Sequence, residues 1–335
     1  MTEHDAALLG DEADPTVVAQ ALPDLRDVLA VPRVVGAEGR RDHPAYGGMV
    51  VRLLGAYLET HATYAATALY GAAMEIASLA NRTDLAMLER SGSQIADRGT
   101  HLVVRTPDNP TFWWGNFLLL AEVPADEEAA AEWLAEFERE FPDARHRTFG
   151  IDRTDGTVDD LAAFTALGLD AEASSVMTAE EVHEPPRPNT EATYRPLASD
   201  DDWAQQIEVA RAGEDIGYDL AFVTAKTRAE RRLVDGGYGA WWGAFEGDRL
   251  LASMGLFTAS EGLARFQNVK THPDARGRGL AGTLVHRVSR YGFEELGART
   301  LVMVADPHYL AIRIYRSVGF AETEHQLQAE RKPLE

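Results

Sequence analysis

Residues 263–305 read in order as an apolar strand (LARFQNVKT), a turn crowded with glycine (THPDARGRGLAG), a helix from Leu280 to Leu296 and a further strand, TLVMVA. This succession constrains the fold more than any other stretch, because it commits the chain to an α/β architecture. The turn combines bare backbone with two arginines, Arg276 and Arg278. The first turn of a helix has N–H groups without intrahelical partners and lies at the positive end of the helix dipole. A glycine-rich turn entering a helix therefore suits a phosphate, since small residues admit the anion and arginine adds charge-assisted contacts. Neither common nucleotide fingerprint is present: the turn lacks Gly-Lys-Ser/Thr, and no GxGxxG is followed by a ribose-binding acid.

The remaining pattern falls into two similar halves. HLVVRT (101–106), NFLLLAEV (116–123), HRTFGI (146–151) and ASSVMTA (173–179) read as strands. Among them lie an amphipathic helix from Asp126 to Phe141, with Trp133, Phe137 and Phe141 on one face, and a shorter helix at 159–169. Three prolines in EVHEPPRPNTEA (181–192) mark a boundary. Beyond it, TYRPL, GAWWGAF and RLLASMGLF are strands, Ser199 caps a helix, and a second helix covers 218–234. AIRIYRSVGF (311–320) is a helix stopped by Gly319, and 321–332 is extended. The expected organisation is an arm and helical extension at 1–90, a domain at 91–182 and a second domain at 192–335. Trp241 and Trp242 point to opposite faces of their strand, one to the core and the other to a cleft.

Charge and composition exclude several function classes. Of the net charge of −22, residues 1–200 carry −20, whereas 251–300 carries +3 and contains the glycine-rich turn. Such a chain is a poor nucleic-acid binder, and its one basic window suits a small anion. Cysteine is absent, which excludes disulfides and cysteine-bound zinc and suits a reducing cytoplasm; no metal site is expected. The first residues lack the basic n-region of a secretory signal. The apolar stretch 49–80 includes Arg52, Glu59, His61 and Glu75, short of the ~20 apolar residues of a membrane span. A soluble cytoplasmic protein without membrane or nucleic-acid partners is expected.

Arg276, Gly279 and Ala281 match the spacing Gln/Arg-x-x-Gly-x-Gly/Ala, and here the chain resembles the GNAT superfamily of acetyl-CoA-dependent N-acetyltransferases. His272-Pro273 stands before the motif where the family often has a proline. AIRIYRSVGF resembles the second family signature, an alanine with a tyrosine four residues on and Gly-Phe at the helix end. The resemblance spans about residues 192–332. It implies a mixed, mostly antiparallel sheet flanked by helices, with the first half a degenerate copy of the same fold. By the same resemblance, main-chain groups of Val269, Lys270 and Thr271 meet the pantetheine arm and acetyl carbonyl. Arg276, Gly277, Arg278, Gly279, Leu280 and Ala281, with Gly282 and Thr283, hold the pyrophosphate. Asp306 contacts the pantetheine amides, and Tyr315 is the catalytic acid that protonates the departing thiolate.

A tyrosine with a pKa near 10 suits that task, since a thiol has one near 8.5. Without cysteine no cysteinyl acyl-enzyme forms, so the resemblance implies direct attack by a primary amine. The negative first half favours a cationic small molecule or basic peptide as acceptor. A homodimer is compatible with the chain. The family's usual carboxylate is missing from LARFQNV, which leaves a water on Gln267, His272, an acid such as Glu261, or no base at all. An acyl-CoA-binding regulatory module without turnover is the alternative. PTFWWGNFLLL (110–120) reads as a core strand, although its aromatics beside Asn109 and Asn116 would also line a site. The acids of VPADEEAA, where the first half would need a phosphate loop, repel a pyrophosphate.

Overall fold

Eleven strands among the described residues join into one sheet. The structure, a computed structural model, describes residues 73–212 and 219–332. The expected arm and helical extension thus lie outside it up to residue 72.

The first half contains α1 (Leu79–Arg90), β1 (Gln94–Asp97), β2 (His101–Arg105), β3 (Phe117–Leu120), α2 (Glu127–Glu140), β4 (Arg147–Ile151), α3 (Ala162–Ala166) and β5 (Asp170–Ala179). The second contains β6 (Thr193–Pro196), α4 (Asp200–Ala212), α5 (Leu220–Asp235), β7 (Gly239–Glu246), β8 (Arg249–Ser260) and β9 (Leu263–Thr271). It continues with α6 (Leu280–Glu294), β10 (Thr300–Ala305), α7 (Ala311–Val318) and β11 (Ala321–Arg331). Each half has one parallel pair, β3 with β4 through α2 and β9 with β10 through α6. A parallel pair requires such a crossover.

The strand order, β1-β2-β3-β4-β11-β5-β10-β9-β8-β7-β6, shows that the halves exchange their last strands. After α3, β5 leaves its own half and pairs antiparallel with β10; after α7, β11 pairs antiparallel with β4. The exchanged strands then pair with each other along the middle of the sheet. Two separate domains meeting near 181–192 were the expectation, and here the structure differs. Prolines end regular structure in that linker, but they do not divide the sheet. The linker itself is docked: His183 N donates to Val318 O at 3.0 Å, and Asn189 N donates to Thr283 Oγ1 at 2.8 Å.

Helices cover both faces. Phe137 of α2 and Phe164 of α3 bury Leu118, Leu120, Phe149 and Ile151, while α6 and α7 cover Met254, Leu256 and Met303. On the opposite face α1 packs Leu85 on Leu102 and Leu119, and Trp241 packs with Trp203 of α4 and Leu233 of α5. Trp242 points the other way, as alternation requires, but it rests on Tyr291 of α6 with ring centroids 5.4 Å apart. It therefore packs against a helix, not in a cleft.

One ion pair fixes the start of α4. Ser199 Oγ accepts from Asp202 N at 3.1 Å. The Asp202 carboxylate takes both Arg195 nitrogens at 2.7 and 2.8 Å and the amides of Ala198 and Ser199. The Arg195 guanidinium leads the contacts that hold its pKa well below the usual carboxylate range. Because Arg195 is partly solvent-screened, Asp202→Ala is expected to cost about 2–3 kcal/mol, read by urea unfolding at neutral pH. A depressed folded pKa stabilises fully above the unfolded value of about 3.9, and this stabilisation is lost progressively as pH falls from there through the folded value. Parent and variant therefore converge in acid; a gap independent of pH would exclude the ion pair as its cause.

Candidate active site

Parallel strands β9 and β10 pair only from Leu263 to Arg265, opposite Thr300 to Val302. Beyond that point β9 runs on to Thr271 along β8, and β10 runs on to Ala305 along β5. A wedge opens between them, with Val269, Lys270 and Thr271 on one lip. A bulge in β9 sets its course. Ser253 faces Lys270 while Gly255 faces Gln267, so one extra residue is accommodated, and Asn268 takes a left-handed φ of 44°. Asparagine tolerates that conformation better than most side chains. Its amide is also used: Asn268 Nδ2 donates to Glu230 Oε1 on α5 at 2.7 Å.

Past the wedge, the chain turns at Gly277 and Gly279, with φ of 77° and 78°, into α6. None of the amides from Gly277 to Gly282, which include Arg278, Leu280 and Ala281, has an acceptor among the described residues. Arg276 is exposed, its N donates to Pro273 O at 3.2 Å, and its guanidinium makes no described hydrogen bond or ion pair. Free amides, an unpaired guanidinium and the positive end of a fifteen-residue helix fit a diphosphate carried on an extended arm.

Four expected ligands are placed otherwise. The Arg278 guanidinium pairs with Glu246 at 2.8 Å and Glu191 at 3.8 Å. The Thr283 hydroxyl donates to Gly279 O at 2.9 Å and accepts from Asn189 N, so it holds the linker. Gly282 is buried with Pro185 above it, where an added Cβ would lie 3.2 Å from the proline Cβ. Asp306 Oδ1 accepts from His308 N at 2.7 Å, tying the turn before α7, and faces a second cavity lined by Glu322 and His325.

Tyr315 is 6 % exposed and packs in the apolar cluster of Phe266, Leu280 and Met303, which joins β9, α6 and β10 beside the wedge. Its phenol makes no described hydrogen bond. Burial, then the neighbouring Tyr309, pushes its pKa well above the ordinary value near 10. It is thus protonated at neutral pH but a weaker acid than an exposed tyrosine.

On the other face of β9 lies a cavity of about 660 Å³ bounded by α1, α5 and the first half's sheet. Gln267, Asn268 and Lys270 reach it from β9, Glu230 and Lys226 from α5, and Phe112 and Trp114 from the loop before β3. Glu230 is 7 % exposed, and Lys226 Nζ lies 3.4 Å from its Oε1. Glu261, one of the expected bases, is at the opposite end of β9, 95 % exposed and 3.9 Å from Arg299. His272 caps the next short turn through Asp274 N at 3.3 Å. Arg265 pairs with Asp84 of α1 at 2.8 Å.

Residues 208–320, from within α4 to the end of the second signature, match the model of the acetyltransferase (GNAT) family. This segment is a GNAT acetyltransferase domain. Solved structures extend the likeness in fold to most of the chain. A GCN5-related N-acetyltransferase from Kribbella flavida superposes with a TM-score of 0.54 at 14 % identity, covering 76 % of this chain and 95 % of its own. A conserved protein of unknown function from Staphylococcus epidermidis gives 0.56 at 10 % identity, over 72 % of this chain and 95 % of its own. No curated protein matches the sequence. The GNAT domain is by family an acyltransferase whose donor is an acyl-CoA.

Against this domain, the first half differs at each place where a donor would bind. Strands β3 and β4 stay joined to their ends, and Asp152 N still donates to Leu120 O at 2.8 Å. No wedge forms there. The N-terminus of α2 is filled by its own acids: Asp126 Oδ1 accepts from Ala129 N at 2.9 Å, and Glu127 and Glu128 occupy the first turn. A second diphosphate would meet negative charge where the GNAT domain offers free amides.

Glu230 was not singled out from the sequence, since nothing in TRAERRLVD separates one acid from the surface charges of a helix. The signal that was available is Asn268, a turn-former inside a strand, which marks the bulge.

Proposed function

We propose that the chain transfers an acetyl group from acetyl-CoA to a primary amine by direct attack. One observation carries this reading: the open end of β9 separates an anion-binding helix start from a cavity that contains a buried carboxylate. The diphosphate of the donor binds the amides of Gly277 to Ala281 and the Arg276 guanidinium, and its thiol arm enters the wedge along Val269 to Thr271. An ammonium in the cavity is held by Glu230 and loses a proton to that carboxylate, directly or through water. The amine nitrogen then forms a bond to the thioester carbonyl carbon and passes its second proton to water, the carbon–sulfur bond breaks, and Glu230 returns its proton to solvent. The sulfur takes a proton from Tyr315, which regains one from solvent; at neutral pH both groups end protonated. A cytoplasmic location belongs to the same reading and rests on the cysteine-free sequence. Among the described residues no helix is long and apolar enough to cross a membrane.

Calorimetric titration with acetyl-CoA tests the donor site. Arg276→Glu removes one charge-assisted contact and opposes the diphosphate, so the dissociation constant is expected to rise about tenfold to a hundredfold. This substitution is preferable to one at Gly279, where an added Cβ would lie 2.4 Å from Arg187 O and disturb the linker. Failure of the native chain to bind acetyl-CoA would refute the proposal.

A further inference from the structure

The acceptor cavity is built by both halves, and the composition of its walls narrows what it accepts. The described acids of its lining are three: Glu230, 3.4 Å from Lys226 Nζ, Asp84, 2.8 Å from Arg265, and the exposed Asp219. Lys270 adds a further positive charge to the lining. A polyamine needs several carboxylates spaced along an extended chain, whereas among the described residues Glu230 is the one buried acid of the lining. What it offers beyond Glu230 is aromatic. Phe112 packs edge-on against Phe222 of α5, centroids 6.1 Å apart, and Trp114 packs on Phe117 at 5.7 Å. Phe112, Trp114 and Phe222 are each only partly buried, so their rings retain surface facing the cavity.

A single side chain links the polar and aromatic ends. Lys226 Nζ contacts Glu230 and also stands 4.7 Å from the centre of the Phe112 ring. An ammonium on Glu230 therefore has an aromatic wall within the reach of one small molecule. The position is held from both halves, because Asn109 Nδ2 of the first donates to Phe222 O of the second at 3.4 Å. The volume of about 660 Å³ is that of a pocket for a drug-sized ligand, more than a bare alkylamine fills.

Building on the acetyltransferase reading, we infer that the acceptor is a monoamine on an aromatic or similarly bulky apolar body, and that the first half of the chain recognises that body. The amine lies at Glu230 and Asn268, and the body lies against Phe112, Trp114 and Phe222. The half that lacks a donor site thus acts as the specificity wall of the half that has one.

The test uses the full chain with acetyl-CoA and three probes: 2-phenylethylamine, n-butylamine and spermidine. Thiol release gives kcat/KM for each, and calorimetry gives the binding of each amine and of acetyl-CoA. Burying a ring instead of a short alkyl chain is expected to favour 2-phenylethylamine over n-butylamine by at least tenfold. Trp114→Ala and Phe222→Leu are each expected to shrink that ratio several-fold, leaving the acetyl-CoA dissociation constant unchanged. Phe112→Leu serves as a third variant with a milder change in volume. Equal kcat/KM for the two monoamines, or preference for spermidine, would overturn the inference while leaving the transferase intact. So would variants that lower both monoamines alike. Absence of acetyl-CoA binding would instead remove the reading on which it rests.

Discussion

Cut between Thr190 and Glu191, the chain is expected to yield two fragments that are each unfolded alone and fold when mixed. Fragment 191–335 lacks β5, so β10 loses its antiparallel partner from Leu301 to Ala305 and β11 loses its neighbour on that side. Fragment 1–190 lacks β11, which separates β4 from β5. Val176 and Met177 on β5 and Leu327 and Ala329 on β11 are fully buried in the intact sheet. At about 1.5–3 kcal/mol for each large apolar side chain, their exposure is comparable to the 5–15 kcal/mol by which a domain is stable. Unpaired edges in the middle of the sheet add to the loss and invite aggregation. Circular dichroism melts of each fragment and of the mixture test this. A cooperative melt from fragment 191–335 alone would show the exchanged strand to be dispensable and restore two independent domains.

Replacing Glu230 by glutamine should lower kcat/KM for amine acetylation by about 10²–10⁴-fold, the usual contribution of a positioned general base. The amide keeps size and hydrogen bonding but takes no proton. Glu230 is on α5, on the other side of β9 from the donor turn, so the acetyl-CoA dissociation constant should not change. Asn268→Gly complements this variant. Glycine adopts the left-handed φ of 44° without strain, so the bulge survives while the 2.7 Å bond to Glu230 is lost. That variant should lose roughly tenfold, consistent with misplacement of the carboxylate, not its removal. Full activity in Glu230→Gln would exclude it as the base and leave a water on Gln267 or an amine that arrives neutral.

The glycine turn of the candidate donor site was legible in the primary structure because its determinants are local. Gly277 and Gly279 are needed where they stand for their positive φ, and the helix that follows them supplies free amides whatever surrounds it. The acceptor side was not legible. Glu230, Asn268 and Phe112 are brought together from α5, β9 and the loop before β3, and no spacing connects them. The FWW cluster illustrates the difference. Its apolar character is consistent with a core strand, yet its aromatics stand in a loop before β3, where Phe112 and Trp114 line the cavity. Arg278 and Thr283 fit the local motif, but both are engaged by partners from distant segments, Glu246 and Asn189.

By itself the sequence determined the order and kind of the described elements other than β1, the glycine turn and its charge, and the absence of a comparable turn in the first half. Each of these depends on backbone conformation and side-chain alternation within about fifteen residues. Only the tertiary structure decided that β5 and β11 change places, that the linker lies on α6, and that the wedge opens between β9 and β10 but not between β3 and β4. These features depend on which edge a strand finds. The hydrogen-bonding edges of strands with similar alternation are alike, and burial over the whole sheet selects the partner.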